Sequence, residues 1–461
     1  MSWLKTLREA VGGSHHQDYT EGPIGRSLVL LAIPMVLETV LESVFAVVDV
    51  FFVARLGADA VATIALTETL ETLVYAVSLG LGIGVTATVA RRIGEKDPDG
   101  AARVAVQAIV LGVLVAIGIA LVGVTQAPRL LALMGGSEAV QAVGAPFTRV
   151  IMGGNVAVLL LFLINAIFRG AGDAAIAMRS LWIANAFNIV LGPCLIFGFG
   201  PFPQLGLVGA AIGTTTGRSI GVLYQLTQLA RTDGRIVIRR EHLSIDWAVM
   251  GRLLRISGSG ILQMLIGMTS WIGLVRVVAT FGSSVLAGYG IAIRVVVFAL
   301  LPAWGLSNAA ATMVGQALGA LKPDRAERAV WLAGRYAVVV LGGVGFVFAA
   351  LAGPIVAIFT REPDVASVGT TCLRVVSVGF VFWAYGMTLS SAFNGAGDTW
   401  TPTWLGLFCF WLWEVPLAWV LARPLGLGPT GAFLAITIAF GTYAVAAVVL
   451  FRRGHWKTRV V

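Results

Sequence analysis

"VARRIGEKDPDGAARVAV" (89–106) aligns without gaps on "VGQALGALKPDRAERAVW" (314–331), so that Val89, Gly94, Pro98, Asp99, Ala101 and Arg103 recur 225 residues further on. At the same offset "FRGAGD" (168–173) falls on "FNGAGD" (393–398), Arg149 on Arg374, and Gly57 on Gly282. Independent landmarks at one offset make the chain an internal repeat. Between the landmarks lie runs of about 20 or more mostly apolar residues, each long enough to cross a hydrocarbon core of about 30 Å. Composition agrees: 58% hydrophobic, 12% charged and a mean hydropathy of +0.90 make the bilayer the main solvent.

The apolar runs predict an all-α integral membrane protein of twelve transmembrane helices, at 27–54, 60–90, 102–126, 146–168, 180–198, 207–230, 257–280, 285–317, 327–358, 367–393, 402–422 and 429–451. Six spans per repeat is an even number, so both halves insert in the same sense. The expected architecture is two parallel six-helix lobes around a central cleft, an arrangement typical of transporters. The corresponding segments are an N-terminal tail (1–25), an N-lobe (26–230), a linker (231–256), a C-lobe (257–451) and a C-terminal tail (452–461). Lys and Arg in the alternating gaps number roughly 23 on the side shared by both termini and about 4 on the other, which orients both termini to the cytoplasm of a cell (inner) membrane.

The net charge of +9 is explained by this positive-inside placement, with no nucleic-acid partner implied. Cys194, Cys372 and Cys409 lie in apolar segments at unrelated spacings and form neither a disulfide framework nor a metal signature. His15, His16, His242 and His455 all fall outside the spans, which excludes an intramembrane HExxH metalloenzyme. No phosphate-binding loop opens a soluble domain, and no gap is large enough for a catalytic one, so the chain is read as no enzyme and as using no cofactor. The N-terminus lacks the tripartite order of a cleaved signal peptide.

"PMVLETVLESVFAVVDV" (34–50) places Glu38, Glu42 and Asp49 inside the first span. Glu42 and Asp49 lie roughly 40° and roughly 20° from Glu38 around a helix, so all three share one stripe about 16 Å long. The second span adds Glu68, Glu71 and Tyr75 within roughly 60° of one another. The repeat supplies an internal control. Glu38, Glu42 and Asp49 fall on Gln263, Gly267 and Leu274, and Glu68, Glu71 and Tyr75 fall on Ile293, Val296 and Leu300. The acids therefore belong to one half, whereas the GAGD turns, present in both, read as structural. Charges at membrane depth cost about 2.5 kcal/mol or more each, and clustered carboxylates repel, so some of this set is expected to hold protons or a cation. Such a site is what a cation antiporter needs. In the other half Glu414, next to Pro416, either pairs with Arg294 or Arg276 or meets a cationic substrate. Pro34 can bend the first span at mid-membrane.

The pattern of "LAIPM" and "VVDVFFVARLG" in the first span, "ARRIGEKD" after the second, "RGAGD" after the fourth and "LGLVGAAIGT" opening the sixth resembles the MATE (multidrug and toxic compound extrusion) family over roughly residues 25–450. The resemblance implies export of organic cations or amphipathic compounds from the cytoplasm in exchange for inward H⁺ or Na⁺, by rocking of two lobes. It also implies that Asp49 is the principal ion-coupling carboxylate and that Asn188, in "NAFNIVLGP", belongs to the same network, both becoming metal ligands if the ion is Na⁺. Some members carry an Asp four residues after that Asn, where this chain has Gly192. Taken together, Asp49, Glu42, Glu68 and Asn188 are expected to hold the coupling ion, Glu38, Glu71, Tyr75 and Glu414 to line the substrate cleft, and Pro34 to act as the hinge. The expected partners are small organic cations or amphipathic compounds and the lipid bilayer, with the protein monomeric. The alternative is a flippase of lipid-linked precursors of the same superfamily, which should line its cleft with cations to meet pyrophosphate.

Overall fold

The computed structural model describes residues 3–13, 17–53, 56, 58–232 and 234–459, excepting the side chains of 3–5, 44, 46–51, 53, 58 and 59. His15, His16 and Gly57 lie outside the described residues, and so does the side chain of Asp49. Among the described residues there is no strand. The helices are α1 (Trp3–Gly12), α2 (Ile24–Val53), α3 (Ala58–Gly94), α4 (Pro98–Leu133), α5 (Glu138–Gly153), α6 (Asn155–Ala171), α7 (Ala174–Phe197) and α8 (Gly206–Ala230). After a linker come α9 (Trp247–Ala279), α10 (Ser283–Gly319), α11 (Pro323–Ala357), α12 (Pro363–Val378), α13 (Phe380–Gly395), α14 (Trp400–Gly406), a π-helical segment (Leu407–Glu414), α15 (Val415–Ala422) and α16 (Pro429–Arg452).

Among the described residues, ten helices are long and apolar enough to cross a membrane, and α12 with α13, bent by 54° at Gly379, makes an eleventh. The twelfth is α8, whose 25 residues suffice in length but include Thr214, Thr215, Thr216, Arg218 and Gln225. Its polarity is a property of the site it builds, described below.

The repeat persists in backbone detail. Gly172 and Gly397 both take the left-handed conformation (φ 88° and 83°) that ends α6 and α13. Lys96 and Leu321, also repeat partners, both have positive φ (58° and 56°), so the same tight turn is imposed on two unlike side chains. The Asp of each GAGD turn meets an arginine downstream of the sixth helix of its half: Asp173 with Arg235 at 3.6 Å and Asp398 with Arg459 at 3.3 Å. Asp97 caps α4 by accepting from the Gly100 N–H at 2.8 Å, with Pro98 at the first helical position.

The chain forms two compact units, residues 1–17 with 37–261 and residues 18–36 with 262–461. These cuts differ from the lobes drawn on the sequence, and they fall at repeat-equivalent places, after Val36 in α2 and after Ile261 in α9. Close helix contact explains them. A Cβ on Gly80 would lie 2.4 Å from the Ile261 nitrogen, and one on the equivalent Gly305 would lie 2.6 Å from Val36. The linker packs within the first unit, where Gln107 donates to the Ser244 carbonyl at 2.8 Å and accepts from the Asp246 N–H at 3.1 Å. The first unit's core runs through Leu81, Val85, Val89, Leu159, Ile164 and Phe168, and the second's through Val314, Leu389, Phe393 and Phe451. Trp456, beyond the last span, is fully buried and stacks on Phe451 at 4.5 Å, so the C-terminal segment is part of the second core.

Candidate functional site

The first unit carries its polar residues on inward faces of α2, α3, α6, α7 and α8. On each helix they recur at three, four or seven residues, the spacings that return a side chain to one face: 38 and 42, 71 and 75, 165 and 169, 185 and 188, 218 and 225. Two centres result.

At the first centre one carboxylate oxygen of Glu38 accepts from Asn165 Nδ2 at 3.0 Å and from Arg169 Nη1 at 3.0 Å. Asn165 in turn accepts from Ser180 Oγ at 2.9 Å and from Gln225 Nε2 at 2.6 Å, and Gln225 also donates to the Leu161 carbonyl at 3.1 Å. Glu38, Asn165, Ser180 and Gln225 are all buried. At the second centre Arg218 Nη2 donates to Glu42 Oε1 at 3.4 Å and to the Tyr75 hydroxyl at 2.8 Å, while Asn185 Nδ2 donates to Glu42 Oε2 at 3.3 Å. The guanidinium also lies 5.7 Å from the centre of the Tyr75 ring, which packs edge-on against Phe162. Glu71 acts electrostatically on both Tyr75 and Arg218. Among the described residues, Arg218 Nη1 is buried with no hydrogen-bond partner.

The candidate residues are thus distributed unevenly. Glu38, Glu42, Glu71 and Tyr75 enter one charged network. Asn188, also buried, donates to Thr214 at 2.8 Å, where α7 and α8 pack closely and a Cβ on Gly213 would lie 3.0 Å from Gly192. Glu68 is exposed on α3. Pro34 sits inside α2 on the part belonging to the second unit, and Glu414 is buried in the second unit with an ion pair to neither Arg294 nor Arg276. The backbone of Asp49 continues α2, and its side chain is not described.

The clustered acids are therefore not all bare: Arg169 pairs with Glu38 and Arg218 with Glu42. Arg218 was not singled out from the sequence, although it is a charge in mid-span whose repeat partner is the uncharged Tyr443. Arg169 was absorbed into the repeated turn, yet it is the one position at which "FRGAGD" and "FNGAGD" differ. The second unit keeps the geometry of the first centre without its charge. Gln263, at the place of Glu38, donates to Ser390, at the place of Asn165, at 3.2 Å. Chemically, the first unit offers carboxylates whose arginine partners can be displaced by a proton or a small cation, in contact with a phenol and several amides. Among the described residues no three His, Cys, Asp or Glu side chains cluster as a metal site would require.

Comparison with known proteins agrees with this architecture. Residues 34–194 and 256–420 match the MatE family. The chain is 24% identical over 443 residues to the probable multidrug resistance protein NorM of Thermotoga maritima, covering 95% of this chain and 94% of that protein. It is 26% identical over 450 residues to the probable multidrug resistance protein YoeA of Bacillus subtilis, covering 96% and 97%. Among solved structures, the outward-facing conformation of a multidrug resistance MATE family transporter of the MOP superfamily superposes with a TM-score of 0.88 at 25% identity, over 96% of this chain and 98% of that one. This multi-pass membrane chain, built from two six-span repeats, belongs to the MatE family of multidrug efflux transporters.

Proposed function

We propose that the protein exports organic cations or amphipathic compounds from the cytoplasm in exchange for inward H⁺ or Na⁺, by rocking of its two lobes, with the ion coupled in the first unit. One observation carries this reading: the charged network of Glu38, Glu42, Arg169 and Arg218 is confined to one of two repeats that share the same tight turns at equivalent positions. Structure alone would have no reason to charge one copy only. A proton or Na⁺ reaching Glu42 weakens its pairing with Arg218, frees the guanidinium from a 3.4 Å contact and changes what Tyr75 and Glu71 face. A cationic substrate competes for the same acids, and competition of this kind is the linkage that antiport requires. Asp49 is assigned the principal coupling role from its family motif, with Asn188 and Thr214 supplying oxygens if the ion is Na⁺. Pro34, two residues before the boundary between the units, supports a hinge in α2, because its missing N–H leaves the Leu30 carbonyl without its helical partner. Both termini are placed in the cytoplasm by the distribution of basic residues, and the protein is taken to act as a monomer.

The flippase reading is not favoured, because Arg169 and Arg218 are each engaged by a carboxylate and form no free cationic lining. The test is efflux of a cationic dye from proteoliposomes under separately imposed pH and Na⁺ gradients. A response to one gradient names the ion; transport indifferent to both refutes antiport. Replacing Asp49→Asn should abolish gradient-driven efflux while the protein remains folded, and full retention would remove Asp49 from its assigned role.

A further inference from the structure

The eleventh span is not a regular α-helix. Leu407–Glu414 is π-helical, between α14 and α15, and Pro416 lies just beyond it. Pro416 has no N–H to donate to the Leu412 carbonyl, and the wider register accommodates that loss. Glu414 closes this segment at 5% exposure, and among the described residues its carboxyl has no hydrogen bond and no ion pair. It acts electrostatically on the Cys409 thiol of its own segment and on the Tyr289 hydroxyl of α10. Tyr289 is 2% exposed, and its hydroxyl too is buried without a hydrogen-bond partner among the described residues. Its ring is held between Trp271 at 6.4 Å and Phe433 at 6.1 Å.

The other ionisable groups nearby do not neutralise Glu414. Cys372 of α12 acts electrostatically on Tyr289, and Cys409 acts on Tyr443 of α16, which also bonds to Ser390. The basic residues of the adjoining helices point elsewhere: Arg276 on α9 and Arg294 on α10 are exposed, and Arg423, at the end of α15, donates to the Thr280 carbonyl and lies over Phe281. The repeat partners of Glu414 and Tyr289 are Ile189 and Ile64, so this polar pair is absent from the first unit. A lone ionised carboxylate among aromatic rings is strongly unfavourable, and it requires a proton or a cation to neutralise it. A hard cation takes about six oxygen ligands; one carboxylate and one phenol fall far short, and no acidic cluster adjoins them. The small occupant that needs one acceptor is the proton.

We propose that Glu414 and Tyr289 form a second proton-binding site, in the second unit and separate from the charged network of the first. Hydronium gives its proton to a Glu414 carboxylate oxygen: one O–H bond breaks, another forms, and the water left behind bridges the carboxyl to the Tyr289 hydroxyl. Deprotonation runs the same step backwards. The site does not depend on the coupling residues assigned to the first unit.

The test is pH-difference infrared spectroscopy on the full-length protein in lipid nanodiscs, following the carbonyl stretch of protonated carboxyl groups. The wild type should lose one such component between acid and alkaline pH that Glu414→Gln lacks and Glu42→Gln retains. Tyr289→Phe should keep the component and move its midpoint upward by about 0.5 pH unit or more, roughly threefold in proton affinity, because a donor to the carboxylate is lost. Glu414→Asp, which keeps a carboxyl, should displace the component's frequency, and this covers the case in which Glu414→Gln fails to fold. Identical difference spectra for the wild type and either Glu414 variant overturn the proposal. A midpoint unmoved in Tyr289→Phe, or one that shifts when Na⁺ replaces choline in the buffer, overturns the paired proton site.

Discussion

Replacing Arg218→Met removes the only cation that, among the described residues, touches Glu42. Arg218 is 6% exposed and lies 3.4 Å from the Glu42 carboxylate, with a 2.8 Å bond to Tyr75. At an effective dielectric near 20 the attraction across that distance is about 5 kcal/mol, opposed by a desolvation cost of several kcal/mol per ion. The net worth of the pair is therefore small, but deleting one member leaves the other uncompensated, which costs about 3–5 kcal/mol in a fully buried site. The Glu42 side chain is 27% exposed, so water recovers part of this and about 2–3 kcal/mol is expected for Arg218→Met alone. Glu42→Gln alone should cost about as much, by stranding the guanidinium. In the double variant neither charge remains, and stability should return to within about 1 kcal/mol of the wild type. The assay is a double-mutant cycle by denaturant unfolding in mixed micelles, in which the coupling should be about 2 kcal/mol or more. A double variant as unstable as the sum of the singles, with coupling below about 0.5 kcal/mol, would refute the pairing.

Gly395→Ala should be poorly tolerated, because its Cβ would lie 2.2 Å from the Ala311 carbonyl oxygen; a cost of about 1–3 kcal/mol is expected, read as a lowered unfolding temperature. Trp456→Ala should lose about 3–5 kcal/mol by emptying a fully buried ring site against Phe451, measurable by the same unfolding. Lys457, outside the spans, bonds to Glu327 at 2.6 Å, which raises its ammonium above the ordinary lysine value. A raised folded-state value means stability fully present below the unfolded value of about 10.4 and lost as pH climbs through the folded one. The stability difference between wild type and Lys457→Gln should thus be constant near neutrality and shrink at strongly alkaline pH; a difference independent of pH throughout would contradict the pairing.

The unequal legibility of the two halves of the problem follows from distance along the chain. The helices were readable because hydrocarbon forces every backbone polar group to be satisfied within its own segment, so an apolar run of sufficient length has little choice but to be a helix. The repeat was readable because it is a comparison of the sequence with itself. Even the bend at Gly379 falls on a residue whose partner, Gly154, separates α5 from α6. The asymmetry of acids was legible for the same reason, and it led to Glu38, Glu42, Glu71 and Tyr75, but also to Glu68, which is exposed outside the network, and to Asp49, whose side chain lies outside the described residues. Applied to basic residues, the same comparison would have picked out Arg169 and Arg218.

What no comparison along the chain could supply is which acid meets which base. Glu38 and Arg169 are 131 residues apart, and Glu42 and Arg218 are 176 apart, so helix periodicity says nothing of their contact. Only the packing of α2 against α6, α7 and α8 turned an expected cluster of repelling carboxylates into two arginine-compensated centres. Packing likewise left Glu414 and the Tyr289 hydroxyl buried in the second unit, without hydrogen-bond partners among the described residues. Sequence alone determined the helices, their number and the repeat, because these depend on local polarity and on backbone bonding within a span. Tertiary structure decided which acid meets which base, because electrostatics depends on neighbours in space, and those neighbours come from different helices.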